Sequence, residues 1–124
     1  MAKVSFLVDT DVVIDYLNYG QFTKLFDVPN HVVYYSVITK KELLAKSGLR
    51  EREREAILLE LSRWCLIPLS PKITDRFSEI RRKHTFLAKA DALIAATALV
   101  KNLPLVTRNK KHFRIVSDLT VFGG

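Results

Sequence analysis

The sequence contains a single cysteine, Cys65, and no apolar run long enough to cross a bilayer. One thiol excludes an internal disulfide framework and a cysteine-based zinc site. A membrane-spanning helix needs roughly 18–20 apolar residues, so we expect no contact with a membrane. Internal repeats, low-complexity tracts and interdomain linkers are also missing. Together with the lack of a targeting signal, these absences predict a single domain over residues 1–124 that works in the cytoplasm.

Acidic residues are outnumbered by basic ones. Lys and Arg total 20, Asp and Glu total 13, and the formal net charge is +7. Such an excess favours a polyanionic partner, but it carries no information about the fold. Hydrophobic residues make up 48% of the chain, which is enough to build one core.

Short apolar runs alternate with helical periods along the chain. Strands are predicted at 4–8, 32–35, 65–69, 105–107 and 119–122. Helices are predicted at 11–19, 21–27, 39–47, 50–63, 71–84 and 88–102, the last of them apolar almost all round. This alternation predicts an α/β domain whose parallel sheet is covered on both faces. In such a sheet, strand carboxyl ends and the N-termini of the following helices lie at one edge.

Polar side chains from four separate segments collect at that edge, at positions Asp9, Asp11, Glu42, Asp91, Thr107 and Asn109. Gathered carboxylates repel one another unless a cation neutralises them, and oxygen ligands suit the hard ions Mg²⁺ and Mn²⁺. Carboxylates and a metal in a basic domain predict phosphodiester hydrolysis by metal-activated water. We expect helix N-termini beside Glu42 and Asp91 to favour their ionised forms.

Each acid also has a structural interpretation. Thr39 and Glu42 have the spacing of a capping box. Asp9 or Asp11 fits the cap of the first helix, and Asp91 complements a helix dipole. Their joint position at one edge of the sheet favours the catalytic interpretation.

Four segments carry the most specific patterns: FLVDTDVVIDYL at 6–17, SVIT followed by EL at 36–43, ADALIAATA at 90–98, and LVTRN with Phe113 at 105–113. In this order and spacing they resemble the four motifs of the PIN-domain family. Within that family they are most similar to the VapC toxins of bacterial and archaeal toxin–antitoxin pairs.

The resemblance implies a metal-dependent endoribonuclease on a three-layer α/β fold, with a parallel five-stranded sheet in the order 3-2-1-4-5. Asp9, Glu42 and Asp91 correspond to the acids that hold Mg²⁺ or Mn²⁺. Asn109 occupies the fourth catalytic position, where the family carries Asp or Asn. Thr107 is expected to orient the acids through its hydroxyl.

Position 11, commonly Ser or Asn in the family, is an acid here, and Asp11 is interpreted either as a water-mediated support for the metal ligands or as a helix cap. Basic side chains near the motifs are expected to bind RNA, namely Lys89, Arg108, Lys110 and Lys111. The resemblance also implies a homodimer and a small antitoxin partner whose tail crosses the acidic site.

Three alternatives come from other functional classes. The pair Asp9 and Asp11 after a first strand also resembles haloacid-dehalogenase-type phosphatases and phosphoacceptor receiver domains. The phosphatases need a later acidic pair after the fourth strand, and receivers need an acceptor Asp after the third; this sequence has neither. The third alternative is a catalytically weak PIN-like module that binds RNA or assembles complexes.

Overall fold

The computed structural model describes residues 3–123, which form five strands and seven helices. In chain order they are β1 (Val4–Val8), α1 (Thr10–Tyr19), α2 (Thr23–Phe26), β2 (His31–Ser36), α3 (Val37–Leu44), α4 (Glu51–Leu61), β3 (Cys65–Ile67), α5 (Pro71–Lys83), α6 (Lys89–Lys101), β4 (Leu105–Thr107), α7 (Lys110–Phe113) and β5 (Val121–Gly123). Within residues 3–123, no helix combines the length and the apolar character that a bilayer-spanning segment requires.

The strands form one parallel sheet in the order β3-β2-β1-β4-β5. This confirms the predicted α/β fold and its strand order. Strand β1 is central, and its Leu7 lies opposite Tyr34 of β2 and Leu105 of β4. Because the strands are parallel, their carboxyl ends share one edge of the sheet, where the residues that follow β1 and β4 meet.

The core has two parts, one on each face of the sheet. Successive side chains of a strand point to opposite faces, and accordingly Phe6 and Val8 belong to one buried cluster while Leu7 belongs to the other. The cluster around Val8 packs against helices α1 to α4, and the cluster around Leu7 packs against α5, α6 and α7. The predicted burial of α6 is confirmed by its fully buried alanines, which are Ala92, Ala95, Ala96 and Ala98.

Helix α3 begins two residues earlier than predicted, and this changes the setting of Glu42. The Oγ atom of Ser36 accepts a hydrogen bond from Ile38 N at 3.1 Å, so Ser36 caps the helix and Val37 begins it. Glu42 therefore lies in the second turn of α3 rather than the first. The capping-box interpretation of Thr39 and Glu42 is wrong, because Thr39 is already inside the helix.

Other boundaries follow local chemistry. The predicted start of α5 is confirmed, since Ser70 Oγ accepts a hydrogen bond from Ile73 N at 3.3 Å. Strand β3 ends at Ile67, earlier than predicted, because Pro68 has no N–H group to continue the ladder. Strand β5 begins at Val121, later than predicted, because its pairing with β4 begins where Val121 lies opposite Leu105.

Candidate active site

Asp9 lies where β1 ends and α1 begins. It is 4% exposed, and both of its carboxylate oxygens accept hydrogen bonds, Oδ1 from Thr10 N and Oδ2 from Thr107 Oγ1, each at 2.8 Å. Asp9 therefore caps α1, and the interpretation of Asp11 as that cap is wrong; Asp11 lies partly exposed in the first turn of the helix. The bond from Thr107 joins the ends of β1 and β4 at the carboxyl edge of the sheet.

Glu42 is oriented by a chain of two buried threonine hydroxyls. The Oγ1 atom of Thr10 donates to Glu42 Oε1 at 2.8 Å and lies 2.9 Å from Thr39 Oγ1. A hydroxyl has only one hydrogen, so Thr39 is the donor in its contact with Thr10. The chain runs from Thr39 through Thr10 to Glu42, and it holds an otherwise exposed carboxylate beside the start of α1.

Thr107 connects the loop after β4 to Asp9. Its buried hydroxyl accepts a hydrogen bond from Asn109 N at 3.0 Å and donates to Asp9. This second chain places the hydroxyl between an amide donor and a carboxylate acceptor, which leaves it one orientation. Asn109 itself is exposed just before α7, so its side-chain amide faces solvent at the carboxyl edge.

Asp9 carries a perturbed pKa because of where it lies. Burial raises the pKa of Asp9 to about 6, and the hydrogen bond from Thr107 opposes part of that rise. The negative charges of Asp91 and Asp11 contribute to the same rise, and the hydrogen bond from Thr10 N opposes it. These three acids, which come from two segments of the chain, therefore lie close enough to repel one another.

Asp91 lies partly buried in the first turn of α6. Burial raises the pKa of Asp91, His112 on α7 lowers it, and the charges of Asp11 and Glu42 raise it. The helix N-terminus was expected to favour the ionised form of Asp91. This expectation is wrong, because burial and the neighbouring negative charges outweigh the effect of the helix and raise the pKa of Asp91. The pKa shifts link all four acids into one group, which we call the acidic cluster: Asp9, Asp11, Glu42 and Asp91.

The acidic cluster has the chemistry of a cation site. Within residues 3–123, no lysine or arginine forms an ion pair with any of its four carboxylates. In the same part of the chain, no three His, Cys, Asp or Glu side chains converge into a preformed metal site. Mutually repelling carboxylate oxygens are nevertheless the donors that hard divalent ions prefer. The donor set therefore fits Mg²⁺ or Mn²⁺ in its chemistry and its charge.

Arg108, one of the predicted RNA-binding residues, forms an ion pair with a buried acid, while about half of its side chain stays exposed. Its Nη1 atom donates to Asp15 Oδ2 at 2.6 Å, and Asp15 is a buried residue of α1. This ion pair ties the loop between β4 and α7 to α1. The other predicted RNA-binding residues lie at the first turns of α6 and α7, namely Lys89, Lys110 and Lys111.

We expect Arg108→Ala to lower the free energy of unfolding by about 1–3 kcal/mol, because Asp15 would keep a buried charge without its partner. Urea denaturation measures this loss. The double variant Arg108→Ala with Asp15→Asn should recover most of it. Lys111→Ala removes an exposed cation and should stay within about 0.5 kcal/mol of wild type. Equal stability of Arg108→Ala and wild type would contradict the structural role of the ion pair.

Sequence reasoning assigned no site role to Thr10, and it placed Thr39 in a capping box. A signal existed for Thr10, because it follows Asp9 at the end of a buried strand, where a hydroxyl needs a partner. Thr39 ends the SVIT motif, but no sequence pattern pointed to its contact with Thr10, which joins residues 29 positions apart.

Known sequences match this chain over most of its length. The PIN domain family model matches residues 6–119. Ribonuclease VapC1 of Methanocaldococcus jannaschii is 33% identical over 121 residues, which cover 90% of this chain and 81% of that relative. Ribonuclease VapC10 of Mycobacterium tuberculosis is 32% identical over 120 residues, which cover 91% of this chain and 89% of that relative.

Solved structures share the fold from end to end. The structure of VapBC2 from Rickettsia felis bound to a DNA fragment from their promoter has a TM-score of 0.82 at 25% identity, covering 98% of this chain and 99% of that one. A toxin–antitoxin complex from Klebsiella pneumoniae has a TM-score of 0.75 at 27% identity, covering 94% and 95%. This chain belongs to the PIN domain family, and within it to the VapC ribonucleases.

Proposed function

We propose that this chain is the toxin of a toxin–antitoxin pair, an endoribonuclease that hydrolyses RNA phosphodiester bonds at the acidic cluster. Membership of the VapC ribonucleases supports the activity, and the likeness to toxin–antitoxin complexes supports the pairing. The observation that carries the proposal is the buried Asp9, held by Thr10 and Thr107 with its pKa raised to about 6 beside Asp11 and Asp91. Repulsion between carboxylates does not stabilise a fold, whereas carboxylates with perturbed pKa values are typical of functional sites.

The residues that would hold a divalent cation, Mg²⁺ or Mn²⁺, are Asp9, Glu42 and Asp91. When bound, such a cation polarises a phosphate oxygen and lowers the pKa of a water molecule. Thr107 and Thr10 hold the carboxylates of Asp9 and Glu42 in fixed orientations. Their contribution is to arrange these carboxylates before substrate arrives, so that little reorganisation is needed during the reaction.

Asn109 and Asp11 complete the proposed site. The exposed amide of Asn109 both donates and accepts hydrogen bonds, and we propose that it orients the attacking water or a phosphate oxygen. The charge of Asp11 raises the pKa of Asp9 and of Asp91, so Asp11 lies near both. We propose that Asp11 supports these two acids through water.

RNA would be held by basic residues around the acidic cluster. Lys89 begins α6 two residues before Asp91, and Arg108, Lys110 and Lys111 follow β4. Both segments lie at the carboxyl edge of the sheet. Contacts of this kind bind phosphates and give affinity without reading sequence. The net charge of +7 adds long-range attraction to a polyanion.

Cleavage of a panel of folded RNAs in the presence of Mg²⁺ or Mn²⁺ tests the proposal. We expect cutting with either ion and no cutting when EDTA removes it, because the carboxylates alone repel the phosphate. End-labelled substrates separated on denaturing gels would distinguish internal cuts from trimming at the ends. RNA that is bound but not cut under any of these conditions would instead support the RNA-binding or assembly module.

A groove between α1, α2, α3 and α4 is the site that we propose for the antitoxin. Its cavity of about 910 Å³ has an apolar wall that includes Leu17, Leu43, Ile57 and Leu59. The same cavity extends to Glu42 of the acidic cluster. Leu59 is 72% exposed, so an apolar helix seated here would cover it. A partner in this groove would also be placed to block the acidic cluster.

We expect Leu59→Glu to weaken antitoxin binding at least about tenfold, because it puts a charge on an apolar contact surface. The probe is the product of the adjacent open reading frame, purified after co-expression, and calorimetry measures its Kd. Leu69→Glu, at an exposed leucine before α5, is the matched control and should leave the Kd unchanged. Equal affinities for wild type and Leu59→Glu would place the antitoxin elsewhere.

A further inference from the structure

An exposed phenylalanine lies between α5 and α6, outside the acidic cluster. Phe86 is 75% exposed. Single exposed apolar side chains are common on proteins, so exposure alone carries no argument. Three features of its surroundings support a role for Phe86. They are the hydrogen bonds that hold its turn, the charge around that turn, and the closeness of Asp91 along the chain.

The turn that carries Phe86 is held firmly in place. It spans residues 84–87 and is closed by a hydrogen bond from Leu87 N to the His84 carbonyl at 3.0 Å. Arg81 Nη1 donates to the Leu87 carbonyl at 2.7 Å, and the Leu87 side chain is buried in the core. The rings of His84 and Phe86 pack at 80° with their centroids 6.2 Å apart. The backbone at Phe86 is thus held in place before any ligand arrives, which reduces the entropy lost on binding.

Basic side chains flank the turn on both sides. Arg82 and Lys83 end α5, Lys89 begins α6, and all three are exposed. Within residues 3–123, none of the three forms an ion pair with a carboxylate. Arg82 and Lys83 also line a cavity of about 480 Å³ together with His84, the residue that contacts Phe86. Two acids line the same cavity, Asp118 and Glu79, and Glu79 is paired with Arg76. Unpaired cations beside an exposed ring match single-stranded nucleic acid, which offers phosphates to the cations and a base to the ring.

We propose that Phe86 is a stacking platform for an unpaired RNA base near the phosphate that is cut. The inference rests on the proposed ribonuclease function and adds to it a residue that contacts a base of the substrate. Phe86 precedes Asp91 by five residues, so even a fully extended chain would separate them by only about 18 Å. Bases in a duplex are stacked on each other, whereas those in loops and bulges are free to stack on an aromatic ring. The platform therefore favours cleavage in unpaired RNA.

A second copy of this chain is the competing occupant of the surface around Phe86. In a two-fold interface the same patch meets itself. Arg82, Lys83 and Lys89 of one copy would then face the same three cations of the other, which is unfavourable. RNA brings negative charge to these side chains instead, so the charge distribution favours RNA.

Anisotropy of a fluorescein-labelled single-stranded RNA, measured in EDTA, tests the platform without any cleavage. Phe86→Ala should bind about 5- to 100-fold more weakly, and Phe86→Trp should keep wild-type affinity because indole also stacks. Tyr19→Ala is the matched control, since Tyr19 is 72% exposed but lies at the end of α1. The dependence of affinity on salt should be the same for Phe86→Ala and wild type, because no phosphate contact is lost.

A single abasic site moved along the RNA makes the test sharper. At one position it should weaken binding to wild type, and at that position it should have no further effect on Phe86→Ala, because the same contact is already missing.

Equal RNA affinities for Phe86→Ala and wild type would overturn the proposal. So would a Phe86→Ala protein that keeps its RNA affinity but has a lower mass in sedimentation equilibrium, since the ring would then belong to the expected homodimer. Phe86-dependent binding without cleavage would contradict the nuclease function alone and leave the platform standing.

Discussion

Replacement of Asp91 by asparagine is expected to slow RNA cleavage by about 10³-fold or more. The amide keeps the size of the side chain but removes one of the carboxylates proposed to hold the cation. A cation contributes several kcal/mol to the transition state, and each 1.36 kcal/mol is tenfold in rate. Burial raises the pKa of Asp91, so a neutral side chain there should leave the folded state as stable or more stable. Initial rates on end-labelled RNA with Mn²⁺, together with thermal unfolding, measure both effects.

Asp75→Asn is the matched control for this experiment. Asp75 is an exposed carboxylate on α5, so the substitution makes the same chemical change outside the acidic cluster. It should cut RNA at the wild-type rate. If wild type and Asp91→Asn cut equally, a contaminating ribonuclease is responsible, and the acidic cluster is not the active site.

The second large effect concerns stability: in the cation-free protein, Asp9→Asn should gain up to about 3 kcal/mol of stability relative to wild type between pH 4 and pH 7. The asparagine amide can accept only one of the two hydrogen bonds that Asp9 accepts, and the cost of losing the other is the same at every pH. Burial raises the pKa of Asp9 from its ordinary value of 3.8 to about 6. The folded state therefore binds the proton more tightly than the unfolded chain does. At pH 7 the wild type must keep a charge in a buried position, and the asparagine variant has no such charge.

The sign of the pH dependence follows from this shift. Between about pH 4 and pH 6 the folded wild type binds more protons than the unfolded chain, so the contribution of Asp9 to the free energy of unfolding falls as the pH rises. Above this range the contribution is level. The stability difference between Asp9→Asn and wild type should therefore grow from pH 4 to pH 7, as measured by urea denaturation in EDTA.

The control for this measurement is again Asp75→Asn, whose difference from wild type should stay within about 0.5 kcal/mol at every pH. Adding Mn²⁺ at pH 7 should raise the Tm of wild type more than that of Asp9→Asn, because an ion bound only by the folded state stabilises it by mass action. A difference between Asp9→Asn and wild type that is the same at pH 4 and pH 7 would contradict the perturbed pKa.

Strands and helices were largely predictable because their signals are local. Val4–Val8 is a short β-branched run, and the structure has the strand at the same residues. Ser70 before Pro71 has the chemistry of a helix start, and it caps α5. Where the prediction was wrong, two local signals competed: Ser36 and Thr39 are both good caps, and Ser36 takes the role because β2 ends there.

The positions of the acids were predictable at the level of the sheet edge, since parallel topology brings strand ends together. Their interactions were not predictable. The bond between Thr107 and Asp9 joins residues 98 positions apart, and the chain from Thr39 to Glu42 runs through Thr10 on another helix. No periodicity or spacing reports which hydroxyl faces which carboxylate.

The amino-acid order alone was enough to specify the fold class and the edge where the acids meet, because apolar periodicity, caps and parallel connections depend on neighbours in the chain. The strand order was predicted only through the resemblance to the PIN-domain family. Only the tertiary structure decided the raised pKa of Asp9, the pairing of Arg108 with Asp15 and the exposure of Phe86. These properties depend on burial and on charges brought close from distant segments. Both are set when the chain packs, and no single segment of the sequence determines either of them.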